Sequence, residues 1–200
     1  LHHRGGVRPV GRAGHLLMTF QPDFAPSLSR LGTESAFEVL ARAARMQAEG
    51  HDVINLGIGQ PDFRTPDHIV EAGRKALADG AHGYTPANGL PALREAVAAD
   101  LEARHGLGGD TAVHPDSVVV QPGGKPTMFF ACLMFGRPGV EILYPNPGFP
   151  IYESVINYTG ATPVPLALKE ENGFAFDAGT VLGQITERAR LIIINSHANP

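Results

Sequence analysis

The sequence predicts an α/β domain in which helices flank a largely parallel sheet. Three observations carry that reading. From Ser117 onward, short β-branched runs alternate with stretches of helical period. The turns between them are rich in glycine and proline. The chain has 200 residues, 43% of them apolar, enough to bury a core of its own.

Leu1–Leu17, LHHRGGVRPVGRAGHLL, has no periodicity and lacks the apolar centre of a signal peptide. It reads as disordered, or as sequence translated ahead of a true start at Met18. Ser35 and Glu38 have capping-box spacing, and Phe37, Leu40, Ala41, Ala44 and Ala48 recur at helical intervals as far as Gly50. HDVINLGIGQPDFRTP, His51–Pro66, reads as a short strand entering a Gly- and Pro-rich loop. Thr65 as N-cap, with Pro66 at the first helical position, opens a second helix that ends near Gly80. After the turn-rich HGYTPANG, Leu90–His105 is helical, with Leu93, Val97 and Leu101 on one face and Gly106 as its stop. The alternation then runs strand Ser117–Val120, helix Pro126–Phe135, strand Val140–Tyr144, helix Phe149–Tyr158, strand Thr162–Leu168, helix Asp177–Ile185 and strand Arg190–Asn195.

Composition narrows the function classes. No apolar window is long enough to cross a bilayer, so no membrane partner is expected. The formal charge of -4 comes without a basic run, which argues against a nucleic-acid surface. Small molecules or copies of the chain itself are the expected partners. Cys132 is the single cysteine; it cannot form an internal disulfide and should pack as a small apolar residue, in keeping with a reducing cytoplasm. The histidines are scattered without ligand spacing, so no metal site is expected, and neither Ser154 nor Ser196 sits in a nucleophile elbow.

In parallel sheets, ligands gather at the carboxyl ends of the strands, and the loops QPGGK, PNPGFP and SHANP all lie there. Gly123, Gly124 and Lys125 at the start of a helix form a credible phosphate cradle, because glycines let an anion approach the unpaired N–H groups. A tight turn with a solvated lysine would read the same, since GGK lacks the spacing of a nucleotide-triphosphate loop. Phe149, fixed by two prolines and a glycine, could stack on a flat heterocycle or simply fill the core. Asn199 offers an amide to a ring oxygen, or makes an ordinary Asn-Pro turn.

Five landmarks in order, INLGIGQPDFRTP, GYTPANGLPALREAV, VVVQPGGKPTMFF, ILYPNPGFPIY and LIIINSHANP, resemble the class I and II aminotransferases of fold type I, over about Ser35 to Pro200. The resemblance implies pyridoxal 5'-phosphate as cofactor and an amino acid and a 2-oxo acid as substrates. It implies that Gly123, Gly124 and Lys125 surround the cofactor phosphate, that Phe149 stacks on the ring, that Asn199 bonds its phenolic oxygen, and that the backbone of Gly59 meets the substrate carboxylate. Tyr84 matches a tyrosine that reaches the phosphate in the neighbouring subunit, which implies a homodimer with shared active sites. The implied organisation has residues 18–65 as an N-terminal arm and small-domain segment. Residues 66–200 are then the first, incomplete part of the large cofactor-binding domain.

The lysine that holds the cofactor and moves the proton matches none of Lys75, Lys125 and Lys169 and is expected beyond Pro200, so this chain alone is expected to be inactive. The end at Asn199–Pro200, just past the strand-like RLIIIN, reads as a cut. A pyridoxal-phosphate lyase of the same fold, or a non-catalytic effector-binding domain, are the alternatives. His197 stands where the family usually has proline, Phe149 where tyrosine or tryptophan is also common, and Pro126 where the family has a backbone donor.

Overall fold

The computed structural model describes residues 23–32, 35–57 and 59–198. The predicted elements at Leu1–Leu17, the start at Met18 and Asn199 lie outside them. A short 3-10 turn, Pro26–Arg30, precedes three helices: α1 (Ser35–Ala48), α2 (Asp67–Ala78) and α3 (Pro91–His105). Beyond α3 come α4 (Gly124–Phe135), β1 (Glu141–Asn146), α5 (Ile151–Thr159), β2 (Thr162–Ala167), α6 (Ala178–Gln184) and β3 (Ala189–Ile192). The helices predicted from periodicity are therefore present, with ends shifted by a residue or two. Thr65 does not cap α2; Pro66 occupies the N-cap position and no side chain caps the helix there. Proline is tolerated one place earlier than predicted because the amide it lacks would have had no intrahelical partner. Gly106 stops α3 as predicted, in the left-handed conformation.

Two predicted strands are absent. Val118 has extended dihedrals, but its N–H donates back to Pro115 O and the N–H of Val120 donates to Asn88 O. Extended backbone becomes a strand only with a partner, and no neighbouring strand stands beside Ser117–Val120 among the described residues. The run after His51 fails for the same reason: Ile54 and Leu56 remain 84% and 87% exposed, with no ladder beside them among the described residues.

The sheet has the order β2-β1-β3, all parallel. Two crossovers, through α5 and α6, return the chain to the same end of the sheet, as parallel pairing requires. β1 pairs on both sides, and its residues 141–145 are all buried. Around it Cys132, Ile142, Tyr144, Tyr152, Val155 and Ile156 form the core, with Met128, Phe129 and Leu191 packed against it. Cys132 is fully buried and burial pushes its thiol upward, so it packs as the apolar residue predicted. On β2 the register Ile142↔Pro163 and Tyr144↔Pro165 places both prolines at alternate positions, while the N–H of Thr162 bonds Val140 O and that of Leu168 bonds Asn146 O.

At the amino end of β1, Glu141 is only 6% exposed. Arg188 donates to its Oε1 from Nε at 2.9 Å and again from Nη2, and the Thr186 hydroxyl donates to Oε2. The β1–β3 register shifts between Glu141, opposite Ala189, and Ile142, opposite Leu191. The hydrogen bonds from Thr186 and then Arg188 hold the Glu141 carboxyl below its ordinary value. Such a group stabilises the fold above its unfolded pKa, and the contribution disappears as pH falls through the lower folded value.

Stability measurements check both features of β1. Ile142→Ala, at a fully buried position, should cost about 3 kcal/mol in urea denaturation with an unchanged slope. Glu141→Gln should lower the melting temperature at neutral pH, and the gap between variant and parent should close as the pH is taken below the ordinary glutamate range. A gap that persists there would show that the carboxylate charge is not the source.

Candidate functional site

The predicted phosphate loop lies at the start of α4. Gly123 is its N-cap, with φ +88, a conformation that favours glycine. The helix begins at Gly124, two residues before the predicted start at Pro126, so Gly124 and Lys125 belong to its first turn. Pro126 falls within that turn, where the N–H it lacks is one of the four that no helix satisfies internally. No side chain caps this end among the described residues. A Cβ added at Gly123 or Gly124 would meet no protein atom within 4 Å, so the space before the helix is open. A 12-residue helix directs the positive end of its dipole into that space.

Phe149 comes from the loop that leaves the carboxyl end of β1. It is half-buried and packs edge-to-face on Tyr152, with ring centroids 5.7 Å apart. Lys125 Nζ lies 5.2 Å from the centroid of the Phe149 ring. Two loops far apart in sequence thus bring a cation, a helix amino terminus and an aromatic ring to one place. Nothing in the sequence foretells that the lysine lies over the ring.

The remaining predicted residues belong to other segments of the chain. Tyr84 is fully exposed on the loop between α2 and α3. That loop meets the phosphate-loop segment through Asn88 and Gly89, which approach Val120. Gly59 is exposed in the segment between α1 and α2, and Asn199 falls outside the described residues. His197 is exposed at the end of the described chain.

Three residues near the site were not singled out from the sequence. Tyr152 supports Phe149; its phenol is pushed up by burial, as is that of Tyr144, to whose shift the nearby Glu153 carboxylate adds. Arg94 on α3 reaches the turn Pro115–Ser117, donating to Pro115 O at 3.1 Å and to Asp116 Oδ1 at 2.9 Å. The signal for Tyr152 was available in FPIY, where an aromatic follows Phe149 by three residues. For Arg94 there was none, since a single arginine on an amphipathic helix is an ordinary surface residue.

Two cavities are found among the described residues. One, of about 350 Å³, runs between α4 and α5 and is lined by Lys125, Pro126, Met128, Phe129, Phe130, Ile151 and Val155. The other, of about 510 Å³, lies beside β2 and α6 and contains none of the predicted site residues. The larger volume is therefore not where the predicted chemistry converges. Among the described residues no cluster of His, Cys, Asp and Glu is arranged to hold a metal ion, and no helix is long and apolar enough to cross a membrane.

Comparison with known proteins identifies the family. The family described as "Aminotransferase class I and II" matches residues 51–200. A probable aspartate/prephenate aminotransferase of Aquifex aeolicus is 37% identical over 176 residues, covering 88% of this chain and 44% of that protein. An aspartate aminotransferase of Rhizobium meliloti is 34% identical over 181 residues, covering 90% of this chain and 43% of that protein. The solved aspartate aminotransferase from Thermus thermophilus with maleate superposes with a TM-score of 0.80 at 32% identity, over 90% of this chain and 46% of that one. The chain spans a little under half the length of the relatives it matches. It carries the amino-terminal portion of aminotransferase fold type I, and it belongs to the class I and II aminotransferases.

Proposed function

We propose that the protein to which this chain belongs uses pyridoxal 5'-phosphate to move an amino group between an amino acid and a 2-oxo acid, and that this chain supplies the phosphate anchor and the ring support. The observation that carries the reading is the convergence of Gly123, Gly124 and Lys125 at the open start of α4 with Phe149 at the end of β1. The residues fit the cofactor: an anion site beside an aromatic face is what a phosphorylated, flat heterocycle needs. The relatives named for aspartate and prephenate favour a dicarboxylic amino donor such as aspartate.

When bound, the cofactor supplies the electron sink on which amino-group chemistry runs. The protein's part is placement. The first turn of α4 and the Lys125 ammonium hold the phosphate, so the ring stays put while bonding changes elsewhere. Phe149, braced by Tyr152, limits tilting of the ring. Gly59 would offer backbone to the substrate carboxylate, and Asn199 a hydrogen bond to the phenolic oxygen. Tyr84, extended into solvent from its own subunit, would complete the phosphate site of a second copy, making a homodimer with shared active sites. The organisation we infer is an arm and small-domain segment over 18–65 and the large domain from 66 onward. A cytoplasmic location accompanies the reading, resting on the single buried thiol Cys132.

By the family resemblance none of Lys75, Lys125 and Lys169 matches the lysine that would hold the cofactor aldehyde, and we propose that a part of the protein outside this chain supplies it. The protein as its gene encodes it should convert aspartate and 2-oxoglutarate to oxaloacetate and glutamate, and the 200-residue chain should not. Turnover by the short chain would sink the assignment of the missing lysine. Lys125→Ala should weaken pyridoxal 5'-phosphate binding by about tenfold or more, while Phe149→Tyr should leave it nearly unchanged. Equal binding by the parent and Lys125→Ala would remove the phosphate loop from the site.

A further inference from the structure

Arg94 is 9% exposed, an unusual place for a guanidinium. Its Nη1 is shared between Pro115 O and Asp116 Oδ1, and its Nε is buried without a partner among the described residues. Asp116 itself is largely exposed. Burial of a charge so incompletely paired is costly, and a hydrophobic side chain of similar volume would join α3 to the turn at least as well. An arginine adds direction. Two acceptors on one nitrogen fix the orientation of the turn Pro115–Ser117 relative to α3.

That orientation matters because the turn leads directly into the anion loop. Val118 is buried, Val120 N–H bonds Asn88 O at 3.0 Å, and Gly123 N–H bonds Gln121 O at 2.9 Å. Gly89, at φ +100, lies so close to Val120 that a Cβ there would come within 2.5 Å of Val120 Cγ2. Asn88, Gly89 and Arg94 all belong to the entry of α3. The segment 115–120 is therefore gripped at its first and last residues by one short stretch of chain, and the glycines at 123 and 124 project from that base. Among the described residues no strand pairs with this segment, so the two grips take the place of a ladder.

We propose that Arg94 is a positioning residue for the anion loop: through Pro115 and Asp116 it sets where Gly123, Gly124 and Lys125 meet a phosphate. The inference rests on the phosphate-loop reading above. It makes Arg94 necessary for recognising the phosphate group and irrelevant to the rest of the cofactor.

The test compares pyridoxal 5'-phosphate with pyridoxal, which lacks the phosphate, as ligands of the protein as its gene encodes it, by equilibrium titration of the absorbance of the bound form. Arg94→Met should bind pyridoxal 5'-phosphate about tenfold more weakly and pyridoxal as well as the parent does, and Arg94→Lys should recover part of the loss. Asp116→Ser, at an exposed position, leaves the burial of Arg94 intact and should show the same selective loss on a scale of about threefold, which keeps the test open if Arg94→Met does not fold. Variants that lower the melting temperature but leave the ratio of the two affinities at the parent value would overturn the positioning role and leave the phosphate loop standing. A parent protein that does not prefer the phosphorylated ligand would overturn both.

Discussion

The structure depends on β1 being buried along its length and paired on both sides. A parallel strand in that position cannot end or turn within the core; its two connections open at opposite ends, and the candidate loops gather along the carboxyl edge of the sheet. The carboxyl end of β1 delivers Phe149. The chain that precedes β1, through α4, packs on the same core by way of Cys132, Met128 and Phe129, which brings the amino end of α4 to that edge. The Lys125–Phe149 contact is thus a result of sheet topology before it is a result of side-chain chemistry. At the opposite end of the strand, Glu141 and Arg188 tie β1 to the residue that leads into the third strand. One end of the strand carries the structural ion pair, the other the candidate chemistry.

Much of this was legible in the sequence. Helices announce themselves through periodicity and stops, and Gly106 and Gly80 punctuate the chain as their chemistry requires. The three paired strands were found for the complementary reason: ILY, TPVPLA and RLII are short, β-branched and bounded by turns. The two strands that did not form had the same local composition. Pairing is a property of two segments, and Val118–Val120 and Val53–Leu56 have no neighbouring strand among the described residues, which no reading of either segment alone could reveal. The candidate site divides along the same line. Gly123, Gly124, Lys125 and Phe149 could be singled out one by one from turn and helix-start chemistry, whereas their mutual approach, and the grip of Arg94 on Pro115, depend on distances between segments more than twenty residues apart.

The site also shows how a loop can be held without regular structure. The residues before Gly123 lack the repeated hydrogen bonds of a strand and are secured by a few specific contacts: an arginine on a carbonyl and a carboxylate, one backbone bond, and one close glycine. Such contacts tolerate little variation, because each is single. At Asp116 the hydrogen bond from Arg94, followed by the charges of His114 and Arg94, holds the carboxyl below its ordinary range, so the grip keeps its ionic character through the neutral range. A ladder spreads the same duty over many bonds, and the loss of one would matter less.

The prolines of β2 have a consequence for the whole sheet. The amides of Thr162 and Leu168 face β1, and in a parallel strand the intervening positions face the other way. Pro163 and Pro165 occupy those positions and have no hydrogen to give, so this side offers carbonyls but no row of donors. β3 carries no such block, and Ile194 just past its end is exposed. Growth of the sheet is vectorial: one margin is chemically sealed, and any added strand, from the same polypeptide or another, has a single margin to join.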